Sequence, residues 1–250
     1  MDRLLEATYH AEQHHFWFVG FRRFVVPVLA RAASGRRDLR LLDAGCGTGL
    51  NLTLLSAHGT AFGLDLTWLG LAYGARRGAT RLVQASITDI PFASGSFDIV
   101  TSFDVLQTLT HEQEAQALRD VARVLRPGGA LLLNVAALEW LRGSHSALAQ
   151  EHHRHSKASL RAAVESAGFT IERITYTNVS LFPLVLAVRL AQRLTRRVES
   201  GRAKGHEIQV PIAPINRTLS ALVAAEAALA RHVNMPIGSS VLCLARKPAR

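Results

Sequence analysis

Three glycines at alternate positions, Gly45, Gly47 and Gly49, follow Leu41-Leu42-Asp43 and precede Leu50-Asn51-Leu52-Thr53-Leu54-Leu55, which carries helical spacing. Glycine is needed where the backbone takes positive φ or where a ligand comes within van der Waals reach of the main chain. A strand, a glycine turn and a helix start together place a nucleotide-like ligand at the carboxyl end of a parallel sheet. A dinucleotide asks for G-x-G-x-x-G, and here Leu50 stands where the last glycine would be. A second apolar strand, Ala61 to Leu64, ends in Asp65, 20 residues beyond Gly45. A carboxylate at that position accepts both hydroxyls of a ribose.

Histidines are the other residues suited to chemistry, because imidazole titrates near neutral pH. Five aromatics and three histidines fall within residues 9–21. That density fits a helix packed on the sheet edge, and equally a lid that turns His14 or His15 toward an acceptor. A second group, His145, His152, His153 and His155, has no cysteine or acid pattern beside it. It reads as a local polar run, and no metal site is expected.

The glycine loop, opened by an acidic residue, closely resembles the S-adenosylmethionine loop of class I methyltransferases. Three further stretches carry the same resemblance: Ser86 to Phe92 with Phe97-Asp98-Ile99-Val100, the turn Arg126-Pro127-Gly128-Gly129, and His153 to Phe169. His15-Phe16-Trp17-Phe18 with Arg22-Arg23 is similar to the opening of bacterial methyltransferases found alongside glycan enzymes. The resemblance implies S-adenosyl-L-methionine as cofactor, held by Asp43, Gly45, Cys46, Gly47, Gly49, Asp65 and Leu66. It further implies adenine contact through Ser86 and Ile87, with Phe103 beside the methionine part. Ser86 stands where the family usually has an acid, so adenine contact departs from the pattern. The implied reaction is in-line displacement of the sulfonium methyl, with O-methylation favoured over N or C. Holding the reactants close makes a bimolecular step unimolecular, and a base assists a hydroxyl acceptor. The histidines expected in that role are, in order, His15, His14, His153 and His152.

The elements that must position these residues follow from the same reading. The expected fold is α/β, a doubly wound seven-strand sheet of order 3-2-1-4-5-7-6. Residues 1–35 form an N-terminal helical lid, and 36–178 with 236–250 form the cofactor domain. Residues 179–235 are a helical insert before the last strand. An amphipathic helix from His111 to Leu125 is expected to turn Ala115, Leu118, Val121, Ala122 and Leu125 inward.

With 250 residues and 48% hydrophobic content, the chain is globular. Its 29 Lys and Arg against 19 Asp and Glu give a formal net charge of +10, which favours an anionic partner. Nucleic acid is unlikely, because Ser102-Phe103-Asp104-Val105 replaces the D/N-P-P-Y/F of base amino-methylating enzymes and neither cysteine has a Pro-Cys context. Cys46 and Cys243 read as free thiols of a reducing compartment. The start lacks the layout of a secretory signal, so a cytoplasmic location is expected. A small-molecule, glycan or lipid-linked acceptor is the expected partner.

Within the insert, residues 181–197 combine an apolar face with Arg189, Arg193, Arg196 and Arg197, the composition of an in-plane interfacial helix. That reading puts the protein at the inner face of the membrane. The competing reading packs this face on the second insert helix, through Leu219, Leu222, Val223, Ala227 and Leu229, or into a homodimer. Other function classes weighed are a nucleotide-binding oxidoreductase, a nucleic-acid methyltransferase and a catalytically silent partner subunit.

Overall fold

The computed structural model describes residues 2–142, 149–187 and 208–249. Two helices, α1 (Asp2–Ala11) and α2 (Phe16–Ala33), precede β1 (Leu39–Ala44). Next come α3 (Leu52–Ser56), β2 (Gly59–Asp65), α4 (Trp68–Arg76), β3 (Leu82–Gln84) and β4 (Phe97–Phe103). The second half holds α5 (His111–Val124), β5 (Leu125–Ala136), α6 (Lys157–Ser166), β6 (Thr170–Thr177), α7 (Ala213–Ala230) and β7 (Ser240–Arg246).

The strands make one sheet of order β3-β2-β1-β4-β5-β7-β6, as expected. β1 to β5 pair in parallel, and β7 runs antiparallel between β5 and β6. Every residue of β4 is buried, as are residues 129–136 of β5, because helices cover both faces. The carboxyl ends of β1, β2, β4, β5 and β6 therefore share one edge, which is where an open α/β sheet binds its ligand.

Local chemistry sets the helix ends. Thr110 and Gln113 form a reciprocal capping box on α5, and Ser156 and Ser159 form one on α6. The face of α5 differs from expectation. Glu114, Ala117, Leu118, Asp120, Val121 and Val124 are buried, whereas Ala115 is exposed. Asp120 turns inward to accept from Ile90 N–H, and Arg123 donates to the carbonyls of Ile90 and Phe92 at 2.7 Å each. These bonds fix the loop after Ser86 from the helix side.

α2 packs along α7, where a Cβ on Gly20 would lie 2.4 Å from Val223 Cγ1. Glycine is the only residue that admits this approach. Asn216 of α7 also accepts from Phe16 N–H at 2.9 Å and donates to the His14 carbonyl at 2.8 Å. So α7 spends its buried face, Val223 and Ala227, on α2, while Leu222 and Leu229 are 44% and 57% exposed. Residues 182–187 are helical, and Glu226 caps them by accepting from Val179 N–H, Ser180 N–H and Ser180 Oγ. Arg189, Arg193, Arg196 and Arg197 lie outside the described residues, as does His145. Among the described residues, no helix is long and apolar enough to cross a membrane.

Candidate active site

At the end of β1 the three glycines turn with φ of +91°, +49° and +74°. Two of them are committed to packing inside the protein. A Cβ on Gly45 would meet Val105 Cγ2 at 2.2 Å, and one on Gly49 would meet Gly74 Cα at 2.8 Å. Gly47 differs, for its nearest neighbour would be Leu5 Cδ2 at 3.8 Å. A Cβ there would make only that ordinary contact, so Gly47 leaves room against the main chain.

Two carboxylates flank the loop. Asp65 Oδ2 accepts from Gly47 N–H at 2.7 Å, while Oδ1 accepts from Thr67 N–H at 2.8 Å and Thr67 Oγ at 2.5 Å. Oδ2 keeps acceptor capacity, and Oδ1 gains it when the Thr67 hydroxyl turns away. Asp43 is fully buried. Its Oδ1 accepts from Thr101 Oγ at 2.7 Å, and its Oδ2 has no hydrogen-bond partner. Burial, reinforced by the negative charge of Asp65 and only partly offset by Thr101, pushes the Asp43 carboxyl up to about 7. A buried acid held near neutrality beside an open glycine turn is a receptor for a donor-bearing, cationic ligand.

The N-terminal helices close this end of the cleft. Glu12, buried between α1 and α2, accepts from Thr48 Oγ of the glycine loop at 2.5 Å and from Arg77 at 2.8 Å. Arg22 donates to the Glu12 carbonyl, Arg77 also reaches the Tyr9 carbonyl, and Tyr9 stacks on Tyr73 at 4.1 Å. Phe21 of α2 meets Phe103 edge to face at 5.0 Å. Glu12 looks like an ordinary polar linker residue in the sequence, and no local signal separates it from its neighbours.

The remaining expected contacts sit around this frame. Cys46 is buried within the loop, and burial raises its thiol further from ionisation. Ile87 is buried, and Leu66 is 70% exposed at the rim. Ser86 Oγ is turned into its own loop, 2.7 Å from Thr88 Oγ and accepting from Thr88 N–H. Phe103 is the last residue of β4.

The four expected base histidines are scattered. His14 is exposed on the α1–α2 link. His15 caps α2, its Nδ1 accepting from Trp17 N–H at 3.2 Å, and burial lowers its pKa. His152 is exposed, its N–H bonded to the Gln107 carbonyl at 2.7 Å. His153 turns away toward Glu114 of α5, 2.8 Å distant. The acid that the histidine run lacks in sequence comes from another element.

Sequence reading passed over Asp104. It follows β4 with φ of +58°, a left-handed backbone uncommon outside glycine. The turn it opens packs Val105 against Gly45. Its Oδ1 accepts from Asn134 Nδ2 at 2.9 Å and Gln107 Nε2 at 3.4 Å. Asp104 reaches solvent at the mouth of the cleft, yet protein crowds its carboxyl group on most sides. That desolvation, offset in part by Gln107 and Asn134, pushes it up to about 6. A carboxylate poised near neutrality and oriented by two amides suits proton removal.

S-adenosyl-L-methionine fits this site on three observations. Gly47 leaves room against the main chain, Asp65 retains acceptor capacity for hydroxyls, and Asp43 Oδ2 lacks a partner that a cationic amine would supply.

Comparison with known proteins agrees. Residues 42–133 match the family described as Methyltransferase domain. The ubiquinone/menaquinone biosynthesis C-methyltransferase of Azotobacter vinelandii is 31% identical over 207 residues, covering 67% of this chain and 76% of that protein. The malonyl-acyl-carrier-protein O-methyltransferase of Enterobacter lignolyticus is 34% identical over 166 residues, 64% of this chain and 63% of that one. The chain thus spans under two thirds of the Enterobacter protein, and likewise 62% of a Mycolicibacterium smegmatis relative. Among solved structures, geranyl diphosphate C-methyltransferase of Streptomyces coelicolor shares the fold with TM-score 0.56 and 16% identity, covering 89% of this chain and 78% of that one. The cyclase SpnF shares it as well, with TM-score 0.57 and 20% identity, covering 91% and 81%. At these identities the likeness concerns the fold alone.

Proposed function

Because this chain belongs to the class I S-adenosylmethionine-dependent methyltransferases, we propose that it methylates a hydroxyl of an amphiphilic small molecule, glycan or lipid-linked acceptor, with Asp104 as the base. When bound, S-adenosyl-L-methionine would supply an electrophilic methyl group to the acceptor oxygen, the C–S bond breaking as the C–O bond forms and S-adenosylhomocysteine leaving. Asp43 and Asp65 hold the cationic and ribose parts of the donor through the atoms described above. Glu12 and the helices it joins exclude water from that end. Asp104 takes the acceptor proton at Oδ2, while Asn134 and Gln107 hold Oδ1.

The observation that carries this reading is Asp104 itself, in a left-handed turn packed on the glycine loop. The apolar side of the acceptor is supported by Trp140, 42% exposed, which meets Phe182 edge to face at 5.6 Å beyond the carboxyl ends of β5 and β6. The composition of 181–197 supports the same class of acceptor, drawn from an anionic lipid surface. Residues 1–35 then act as the lid and 179–235 as the acceptor-facing insert.

The test follows labelled methyl transfer from S-adenosyl-L-methionine to panels of hydroxylated lipids, glycans and quinols. Product from a hydroxyl acceptor, lost in Asp104→Asn, supports the proposal. Transfer that continues at the same rate in that variant removes Asp104 from the reaction.

A further inference from the structure

Away from the glycine loop, α5 and the segment before α6 bring together four groups that the methyl transfer does not use: His111, Glu114, His153 and His155. His153 Nε2 lies 2.8 Å from Glu114 Oε2 and 3.0 Å from His155 Nε2. His155 Nε2 is 3.5 Å from Glu114 Oε1, and His111 Nδ1 is 3.9 Å from Glu114 Oε2. The ligand atoms of His111, Glu114 and His153 all fall within 4.8 Å of one another. The His111 ring stacks on that of His153 at 4.3 Å.

Hydrogen bonding alone does not pair every atom of this arrangement well. One imidazole nitrogen, His153 Nε2, faces a carboxylate and a second imidazole nitrogen at once, and a neutral ring carries a single N–H. Glu114 Oε1 is buried with no hydrogen-bond partner. Three ligand atoms gathered within 4.8 Å of one another, beside a buried carboxylate oxygen that lacks a partner, suit a cation.

We infer that His111 Nδ1, Glu114 Oε2 and His153 Nε2 form a binding site for a divalent transition metal of the zinc class, with His155 Nε2 packed against His153. Zinc takes imidazole nitrogen and carboxylate oxygen at about 2.0–2.1 Å in a tetrahedron, whose edges are then about 3.3 Å. The separations from Glu114 Oε2 to His153 Nε2 and His111 Nδ1, 2.8 and 3.9 Å, bracket that edge, and the three ligand atoms all lie within 4.8 Å of one another. Access is open from one side only: the His111 side chain is 83% exposed, whereas those of Glu114 and His155 are 4% exposed. A groove of about 260 Å³ lined by Arg119 and Ser166 leads to His111 and Glu114. The nearby cations are engaged elsewhere, Arg119 with Gln116 and Arg142 with Glu139 and the Glu151 carbonyl. A metal here ties the histidine run to α5. The run in turn reaches the cleft, because His152 and His153 N–H groups bond the Gln107 carbonyl while Gln107 Nε2 reaches Asp104.

Untagged protein stripped with chelator and titrated with zinc by calorimetry tests the assignment, with cobalt absorption reporting the coordination number. One equivalent of zinc should bind and raise Tm, and cobalt should give the intense visible bands of a four-coordinate site. His153→Gln and Glu114→Gln should each weaken zinc by about tenfold or more. The exposed His111→Ala should do the same without disturbing the fold, and His152→Gln should leave zinc affinity unchanged. Absence of stoichiometric zinc binding, or equal binding by wild type, His111→Ala and His153→Gln, overturns the site.

Discussion

The two ends of the cleft are built from unlike materials. At the donor end, the backbone of Gly45 to Gly49 does most of the shaping, and side chains serve to hold that backbone in its turn. At the acceptor end, single non-glycine residues with left-handed backbone, Asp104, Leu138, Gln150 and Asn178, turn the chain. The geometry there rests on charged and amide side chains from the turn after β4, from β5 and from residues 149–155. The difference teaches where each end is fragile. A donor end made of turns fails when space is filled, whereas an acceptor end made of charges fails when a partner is removed.

The largest effect is expected at the acceptor end. Asp104→Asn keeps the shape and the amide contacts but removes the base, so turnover on a hydroxyl acceptor should fall by about 10²–10⁴-fold. Donor affinity measured by calorimetry should stay within twofold of wild type. If affinity falls together with turnover, the division between the two ends is wrong.

Glu12→Ala joins the comparison from the lid. It leaves Arg77, whose side chain is 10% exposed, without its carboxylate and frees Thr48. Breaking a buried pair in this way costs about 3–5 kcal/mol. Chemical denaturation should show that loss, and proteolysis should open first within α1. Glu12→Gln, which keeps an acceptor for Thr48, should lose less.

Glycine substitutions separate space from strain. Gly49→Ala forces a Cβ to 2.8 Å from Gly74 Cα at φ +74°, so stability should drop by about 1–3 kcal/mol. Gly47→Val crowds no packed atom at Cβ but sets a β-branched residue at φ +49°, so its Tm should fall through backbone strain alone while binding of S-adenosylhomocysteine is lost. Equal binding by Gly47→Val and wild type would move the ligand away from this turn.

The smallest effect is a pH dependence. The free protein holds Asp43 protonated up to about pH 7, and a ligand amine that pairs with Oδ2 favours the ionised form. Affinity for S-adenosylhomocysteine should therefore rise severalfold from pH 6 to pH 8. Asp43→Asn should flatten that rise.

The same contrast governs what the sequence discloses. The donor end is continuous in the chain, so the three glycines and Asp65 can be read from spacing, and the family resemblance they carry brings Asp43 and the sheet order with it. The acceptor end is assembled across the chain. Leu118, Val121 and Leu125 fit an inner face with either Ala115 or Glu114, and apolar bias selects the wrong one. Glu114 then vanishes from view, and with it the partner of His153. A left-handed Asp104 ends β4 at Phe103 and delivers that carboxylate to the cleft, a turn that no glycine marks in the sequence. Glu12 is buried only because Thr48 and Arg77, remote in sequence, converge on it.

The central claim is that Asp65 and the glycine turn bind the donor. Calorimetric titration of S-adenosylhomocysteine into wild type and Asp65→Ala tests it most directly. Removing a charged acceptor from two hydroxyls costs about 1.5–3 kcal/mol, so the variant should bind about tenfold or more weakly, with its fold intact by circular dichroism. An unchanged dissociation constant, or no binding by the wild type, would contradict the account.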